Sequence, residues 1–131
     1  MSKTELIEHL PSTLVQVVEA IGIEDTMRVV DAFGGCRVYV PMQLEGKHLL
    51  VTTLGRRLAD QLVAHFGGEP LEIPRCLVAL RAIRDAEIRS AREEGALPRD
   101  LARKHGLTER QVYSILAVRE QAERPQRRLF S

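Results

Sequence analysis

A nine-residue segment occurs twice in this chain and constrains its fold more than any other feature. The copies are FGGCRVYVP, residues 33–41, and FGGEPLEIP, residues 66–74, so the offset between them is 33 residues. The segments in front also align, because Gly22 corresponds to Gly55 and Val29 to Leu62. Each copy therefore predicts a helix, a double-glycine break, a strand of about five residues and a closing proline.

Two copies are too few for a solenoid, which needs about three or more repeats. They are enough for a pseudo-twofold pair in which each strand covers the edge of the other. We therefore expect residues 38–40 and 71–73 to pair antiparallel, either within one chain or between two chains. The glycine pairs are predicted to be helix stops followed by sharp turns, since they lack the spacing and the Lys and Ser of a phosphate-binding loop.

The stretch PRDLARKHGLTERQVYSILAVR, residues 98–119, predicts two helices joined by a tight turn. Gly106 suits a left-handed turn, and the small Ala102 lets the helices approach closely. His105 stands where an apolar residue is more usual. Three apolar residues are spaced to hold the two helices together: Leu101, Val112 and Ile115.

The start of the second helix is well specified. Thr108 can cap it, and Gln111, three residues later, can complete a capping box. Leu107 and Val112 flank the cap as a hydrophobic staple. Pattern, turn, cap and local charge together favour a DNA-binding helix-turn-helix over a helical hairpin with no DNA role.

A helix-turn-helix inserts its second helix into the major groove. The residues predicted to read bases are Thr108, Glu109, Arg110, Tyr113 and Ser114. Arg110 can pair with guanine O6 and N7, whereas the ring of Tyr113 could equally pack over the turn. The cations predicted to contact phosphates are Arg99, Arg103, Lys104 and Arg119. Arg124, Arg127 and Arg128 are further candidates, with a solvated tail as the alternative.

Charge divides the chain in the same way. Residues 1–75 carry a net charge of −3 and residues 76–131 a net charge of +4, and eleven of the twelve cations in the second part are Arg. Arg is well suited to phosphate and guanine recognition. We therefore predict a mainly α fold with a small antiparallel β element. Residues 1–75 form a helical and stranded assembly domain, and residues 76–131 a linker helix and a C-terminal helix-turn-helix.

Apolar periodicity places further helices. The first runs from Ser12, a candidate cap, to about Ile21 and ends at Gly22. Others are predicted at about residues 25–33, from Leu49 or Leu54 to His65, and at about residues 76–94. Arg56 and Arg57 are expected on a solvated face.

Several function classes find no support in the sequence. Cys36 and Cys76 form no CxxC pair and stand near no histidine pair at ligand spacing, so we expect two reduced, buried thiols and neither a metal nor a cofactor. No nucleophile elbow or phosphate loop is present, so an enzyme is not expected. The N-terminal residues do not resemble a signal peptide, and no run approaches the ~20 apolar residues of a membrane span. A cytoplasmic protein is the expectation.

The segment GGxxVYVP, an arginine-rich helix and the sequence LARKHGLTERQVYSIL together resemble the Mor family of phage middle-promoter transcription activators. The likeness covers about residues 10 to 118. The matching residues are Gly34, Gly35, Val38, Tyr39, Val40 and Pro41, then Gly67, Gly68, Ile73, Pro74 and Arg75, then Leu101, Gly106, Val112, Tyr113 and Ile115.

The resemblance implies a two-domain activator that assembles as a dimer through helices and a shared strand pair, and whose C-terminal part binds DNA. Double-stranded DNA and RNA polymerase are the implied partners. The duplicated segment departs from this pattern, because the strand pairing could be satisfied inside one chain.

The sequence thus predicts a sequence-specific DNA-binding transcription regulator of the phage or prophage activator type. A homodimer is favoured, since useful affinity usually comes from two half-sites about 34 Å apart. The alternative is a protein-interaction module that does not bind DNA, such as an antirepressor or a scaffold. Salt distinguishes them, because binding through several phosphates weakens steeply as salt rises.

Overall fold

A computed structural model describes the backbone of residues 3–123 and the side chains of residues 3–117. The described part is mainly helical with one antiparallel pair of strands, as the sequence predicts. In chain order the elements are α1 (Lys3–Glu8), α2 (Ser12–Phe33), β1 (Cys36–Tyr39), α3 (Leu49–Leu54), α4 (Arg56–Phe66), β2 (Pro70–Ile73), α5 (Leu77–Glu93), α6 (Pro98–His105) and α7 (Glu109–Glu123).

The chain divides into two compact units between Ile83 and Arg84, inside α5. We call them the N-terminal unit and the C-terminal unit. The sequence placed its boundary earlier, at residue 75. The difference arises because Leu80 and Ile83 are fully buried in the core of the N-terminal unit, so the first half of α5 belongs there.

Glycines interrupt the helices of both repeats at equivalent positions. Gly22, inside α2, has φ 86° and ψ 166°, and Gly55, between α3 and α4, has φ 89° and ψ 160°. Residues with a side chain rarely adopt this backbone conformation, whereas glycine reaches it without steric penalty. The predicted break at Gly22 is confirmed, although helical backbone resumes directly after it instead of at about Asp25. Of the two starts predicted for the helix that ends at His65, the one at Leu54 lies close to α4, and the stretch from Leu49 is a separate helix, α3, divided from α4 at Gly55.

The two strands pair antiparallel within one chain, with Val38 opposite Leu71 at the centre of the pair. This confirms the predicted antiparallel pairing, which the structure shows within one chain. The glycine pairs end the preceding helices. The Gly34 N–H donates the last helical hydrogen bond of α2 to the Val30 carbonyl at 2.8 Å, and the Gly67 N–H donates that of α4 to the Val63 carbonyl at 2.9 Å. Gly35 and Gly68 then take positive φ values, at which no helix continues.

The core of the N-terminal unit is built from aliphatic side chains and two phenylalanines. Every helix from α2 to α5 contributes to it, as do the strands. Burying one such side chain stabilises the fold by roughly 1.5–3 kcal/mol. Its buried residues include Leu14, Val17, Val30, Phe33, Val40, Leu50, Leu58, Leu62, Phe66, Leu71, Ile73, Leu80 and Ile83.

The structure corrects two local expectations. Ser12 is not the cap of α2, because Pro11 occupies that position and no side-chain hydrogen bond caps the helix. Arg57 is not merely solvated, since its guanidinium donates to both carboxylate oxygens of Asp25 at 3.0 Å. This pair joins the second half of α2 to α4. Its hydrogen bond, followed by its charge attraction, holds the pKa of Arg57 above the usual value.

Both cysteines are free, but neither is fully buried, contrary to the prediction. Cys36 is exposed and Cys76 is half-buried. Cys36 begins β1, where a shallow groove lined by Pro11, Thr13 and Pro74 leaves its side chain open to solvent. Residues at the ends of a two-stranded sheet have few neighbouring strands to cover them. The apolar character of cysteine therefore did not predict the exposure of Cys36.

Candidate nucleic-acid interface

The turn between α6 and α7 has the backbone that the sequence predicts. Gly106 is left-handed, with φ 66° and ψ 33°. The N–H of Leu107 donates to the Ala102 carbonyl at 2.8 Å, which closes the end of α6. Hydrogen bonds of this kind satisfy carbonyls that would otherwise lack partners at a helix C-terminus. The chain therefore leaves α6 and enters α7 within a few residues.

The predicted capping box at the start of α7 is confirmed. The Gln111 N–H donates to Thr108 Oγ1 at 3.1 Å, and the Thr108 N–H donates to Gln111 Oε1 at 2.9 Å. The two residues thus satisfy each other's backbone donors. Leu107, in front of the cap, packs against the same cluster as Val112, as expected for a hydrophobic staple.

A small apolar core holds these helices to the second half of α5. It includes the buried side chains of Ile88, Leu101, Ala102 and Val112. Half-buried residues surround it: Ala91, Ala96, Leu107, Ile115 and Leu116. Leu101, Val112 and Ile115 were predicted to lie there, whereas Leu116 was not. His105 is also buried, so it takes the apolar position that it occupies in the sequence pattern.

The residues predicted to read bases share one exposed surface at the start of α7. Glu109, Arg110, Tyr113 and Ser114 are all exposed, and Tyr113 retains 57% of its accessible area. The open position of this ring favours an outward role over packing on the turn. Thr108 is exposed too, but its hydroxyl is engaged by Gln111.

The cations predicted to contact phosphates lie on α6 where the structure describes them. Arg99, Arg103 and Lys104 are exposed. Lys104 Nζ lies 3.4 Å from Glu87 Oε1, a contact that sequence reasoning missed because the two residues are seventeen positions apart on different helices. The side chain of Arg119, and Arg124, Arg127 and Arg128, lie outside the described part of the chain.

Replacing Thr108 by Ala is expected to destabilise the C-terminal unit by about 1 kcal/mol, the usual cost of losing a helix cap. The substitution removes the oxygen that accepts from the Gln111 N–H. Thermal unfolding followed by circular dichroism measures the effect. Thr108→Ser keeps the oxygen and is the matched control, so equal losses in both variants would contradict a capping role.

Residues 47–129 match the model of the Mor transcription activator family. The chain belongs to the Mor transcription activator family. The match contains the strand of the second repeat and the helices α5, α6 and α7, whereas residues 3–46 precede it. The search of curated proteins found no match to the chain, and neither did the search of solved structures.

Membership of the Mor family makes the chain a transcription activator by class, and DNA the partner expected of that class. Within residues 3–123, no helix is both long enough and apolar enough to cross a membrane.

Proposed function

We propose that this Mor family protein is a sequence-specific DNA-binding activator whose α6 and α7 form a helix-turn-helix. In this proposal α7 enters the major groove with its capped end first. The observation that carries it is the exposed polar surface of Arg110, Tyr113 and Ser114, fixed in place by the Thr108–Gln111 cap. Because the cap and the buried Val112 fix the helix, its outward side chains are presented without further ordering of the backbone.

Each outward residue has a recognition chemistry. The planar guanidinium of Arg110 can donate to guanine O6 and N7 at once, and Glu109 can accept from cytosine N4. Ser114, one turn beyond Arg110, can contact a base or a phosphate, and Tyr113 offers an exposed ring and hydroxyl. Thr108 sets where the helix begins and offers its methyl group to a neighbouring base.

Phosphate contacts would hold the helix in register. Arg99 and Arg103 are exposed on α6, and Lys104 is exposed beside Glu87. Together with Arg119 they supply the positive charge that draws a protein to DNA without reading its sequence. Glu109 and Glu87 carry negative charge near the same surface, and Glu87 lies beside Lys104. We therefore expect the arginines to supply most of the attraction to phosphates.

The remaining partners follow from the proposed class. We infer a phage or prophage-type activator in the cytoplasm that contacts RNA polymerase at its promoter, which transcription in vitro with purified polymerase tests. We also propose that two copies bind adjacent half-sites about 34 Å apart, since one reading helix spans few base pairs. Selection of bound duplexes from a random pool would give the site and its symmetry.

Arg110→Ala is expected to cost about 1–3 kcal/mol on the selected site and to relax specificity at one base pair. Arg103→Ala is expected to weaken binding to every sequence alike and to flatten the salt dependence. Binding should be measured on specific and random duplexes across a salt series. Arg56→Ala is the matched control, because it removes an equal charge from an exposed ion pair in the N-terminal unit.

Unchanged binding of Arg110→Ala to its site would show that the reading helix is assigned incorrectly. The absence of salt-dependent binding to any duplex would instead favour the interaction-module alternative.

A further inference from the structure

The two repeats of the N-terminal unit have the same backbone conformation at equivalent glycines. Gly35 and Gly68, which are 33 residues apart, have φ values of 84° and 86°. Their neighbours Gly34 and Gly67 share φ −54° and have ψ values of 129° and 131°. Gly22 and Gly55 agree as closely, as described above. The repeat in the sequence is therefore a repeat in three dimensions.

The bonds between the repeats are reciprocal. The Gly35 N–H donates to the Ile73 carbonyl at 2.6 Å, and the Gly68 N–H donates to the Val40 carbonyl at 2.7 Å. Adding 33 to the residue number of the first bond's donor, and subtracting 33 from its acceptor's, gives the second bond. The central pair of the two strands, Val38 with Leu71, consists of equivalent residues. The strands are thus related by an approximate twofold axis at that pair.

The residues after the closing prolines obey the same relation. A methyl group on Gly35 would lie 2.5 Å from Nε of Arg75, and one on Gly68 would lie 3.2 Å from Cγ of Met42. Arg75 and Met42 are also 33 residues apart. Each repeat therefore lays the residue that follows its strand over the glycine of the other. Such mutual packing is what two identical protomers would make across an isologous interface.

The two repeats differ in their relation to the family match. The match begins at residue 47, so it contains the strand of the second repeat and the helices α5, α6 and α7, and the first repeat precedes it. We propose that the first repeat, residues 12–41, is a tethered partner without its own DNA-reading helices. It occupies the strand edge and the core surface that a second copy of the matched part would otherwise cover.

This arrangement determines how copies meet. Because the strand pair is complete within one chain, the free protein is a monomer that carries a single reading helix, α7. Two copies come together only on DNA, where each half-site binds its own chain. The statement about DNA rests on the proposed function, whereas the statement about the strand pair does not.

A disulfide across the strands tests the proposal in the full chain. Arg37 and Glu72 are exposed and lie directly opposite each other in the antiparallel pair, an arrangement in which two cysteines can be bridged. The variant R37C/E72C is made with Cys36→Ser and Cys76→Ser and oxidised at low and high protein concentration. Non-reducing electrophoresis and intact mass then distinguish bonds within a chain from bonds between chains.

We expect a bond within one chain at every concentration, together with monomeric sedimentation of the unmodified protein at high micromolar concentration. The single variant R37C in the same background controls for random oxidation. A bond between chains, or a stable dimer of the unmodified protein without DNA, would overturn the proposal. Neither measurement contains DNA, so a failure of the proposed DNA binding would leave both results unchanged.

Discussion

Ile88→Ala is expected to lower the free energy of unfolding of the C-terminal unit by about 2–5 kcal/mol, the range for truncating a buried aliphatic side chain. Ile88 is fully buried and belongs to the same small core as Leu101 and Val112. A small core offers few other contacts to compensate for the cavity. Urea unfolding, with hydrogen exchange to locate the loss, measures the effect.

The loss of stability caused by Ile88→Ala should be confined to the C-terminal unit. Amide protection should fall in α6 and α7. If α7 reads DNA as proposed, binding should weaken too, because α7 is no longer held in one orientation. Val78→Ala is the matched control, since Val78 lies on the same helix but is 79% exposed, and its change should stay within about 0.5 kcal/mol. Equal effects of the two substitutions would contradict the burial that the structure assigns to Ile88.

Local sequence signals predicted the C-terminal unit well. The cap joining Thr108 to Gln111 spans three residues, and the turn at Gly106 depends on a single backbone conformation, so neither needs knowledge of distant parts of the chain. The contact of Lys104 with Glu87 is different in kind. It depends on how α6 packs against α5, which residue spacing along one helix does not specify.

The repeat in the N-terminal unit shows the same difference between local signals, which the sequence reveals, and pairing between distant segments, which it does not. Its spacing predicted two strands and their antiparallel direction, because both copies share a glycine entrance and a proline exit. It could not distinguish pairing within a chain from pairing between chains, since the same hydrogen bonds form in both cases. Gly55 was missed as a helix break because the apolar pattern continues through it, and only its equivalence to Gly22 marks it.

The predicted contacts with DNA remain predictions, and their physical basis is exposure. Sequence periodicity placed Arg110 and Ser114 outward and Val112 inward, and the structure has them so. Which base each side chain contacts depends on the approach of the protein to the groove. That approach is set by phosphate contacts, which a chain without its duplex does not specify.

Gly34→Ala and Gly67→Ala are each expected to destabilise the N-terminal unit by about 3 kcal/mol, the upper end of the usual cost of overpacking. A methyl group on either glycine would lie 2.6 Å from a backbone carbonyl, that of Val30 or that of Val63 respectively. These carbonyls accept the hydrogen bonds that end α2 and α4, so they cannot withdraw without breaking the helix ends.

The cost should come from this contact and not from backbone strain, because the φ of −54° at both glycines is open to any residue. Gly46→Ala is the matched control. Gly46 has open space around it and no positive φ, so alanine there should be neutral or stabilise by up to about 1 kcal/mol through the unfolded state. Chemical unfolding of the three variants separates these contributions.

Since the two glycines are equivalent in the repeat, the losses of stability caused by Gly34→Ala and Gly67→Ala should be similar. A large loss at Gly34 with none at Gly67 would contradict the approximate twofold relation between the repeats.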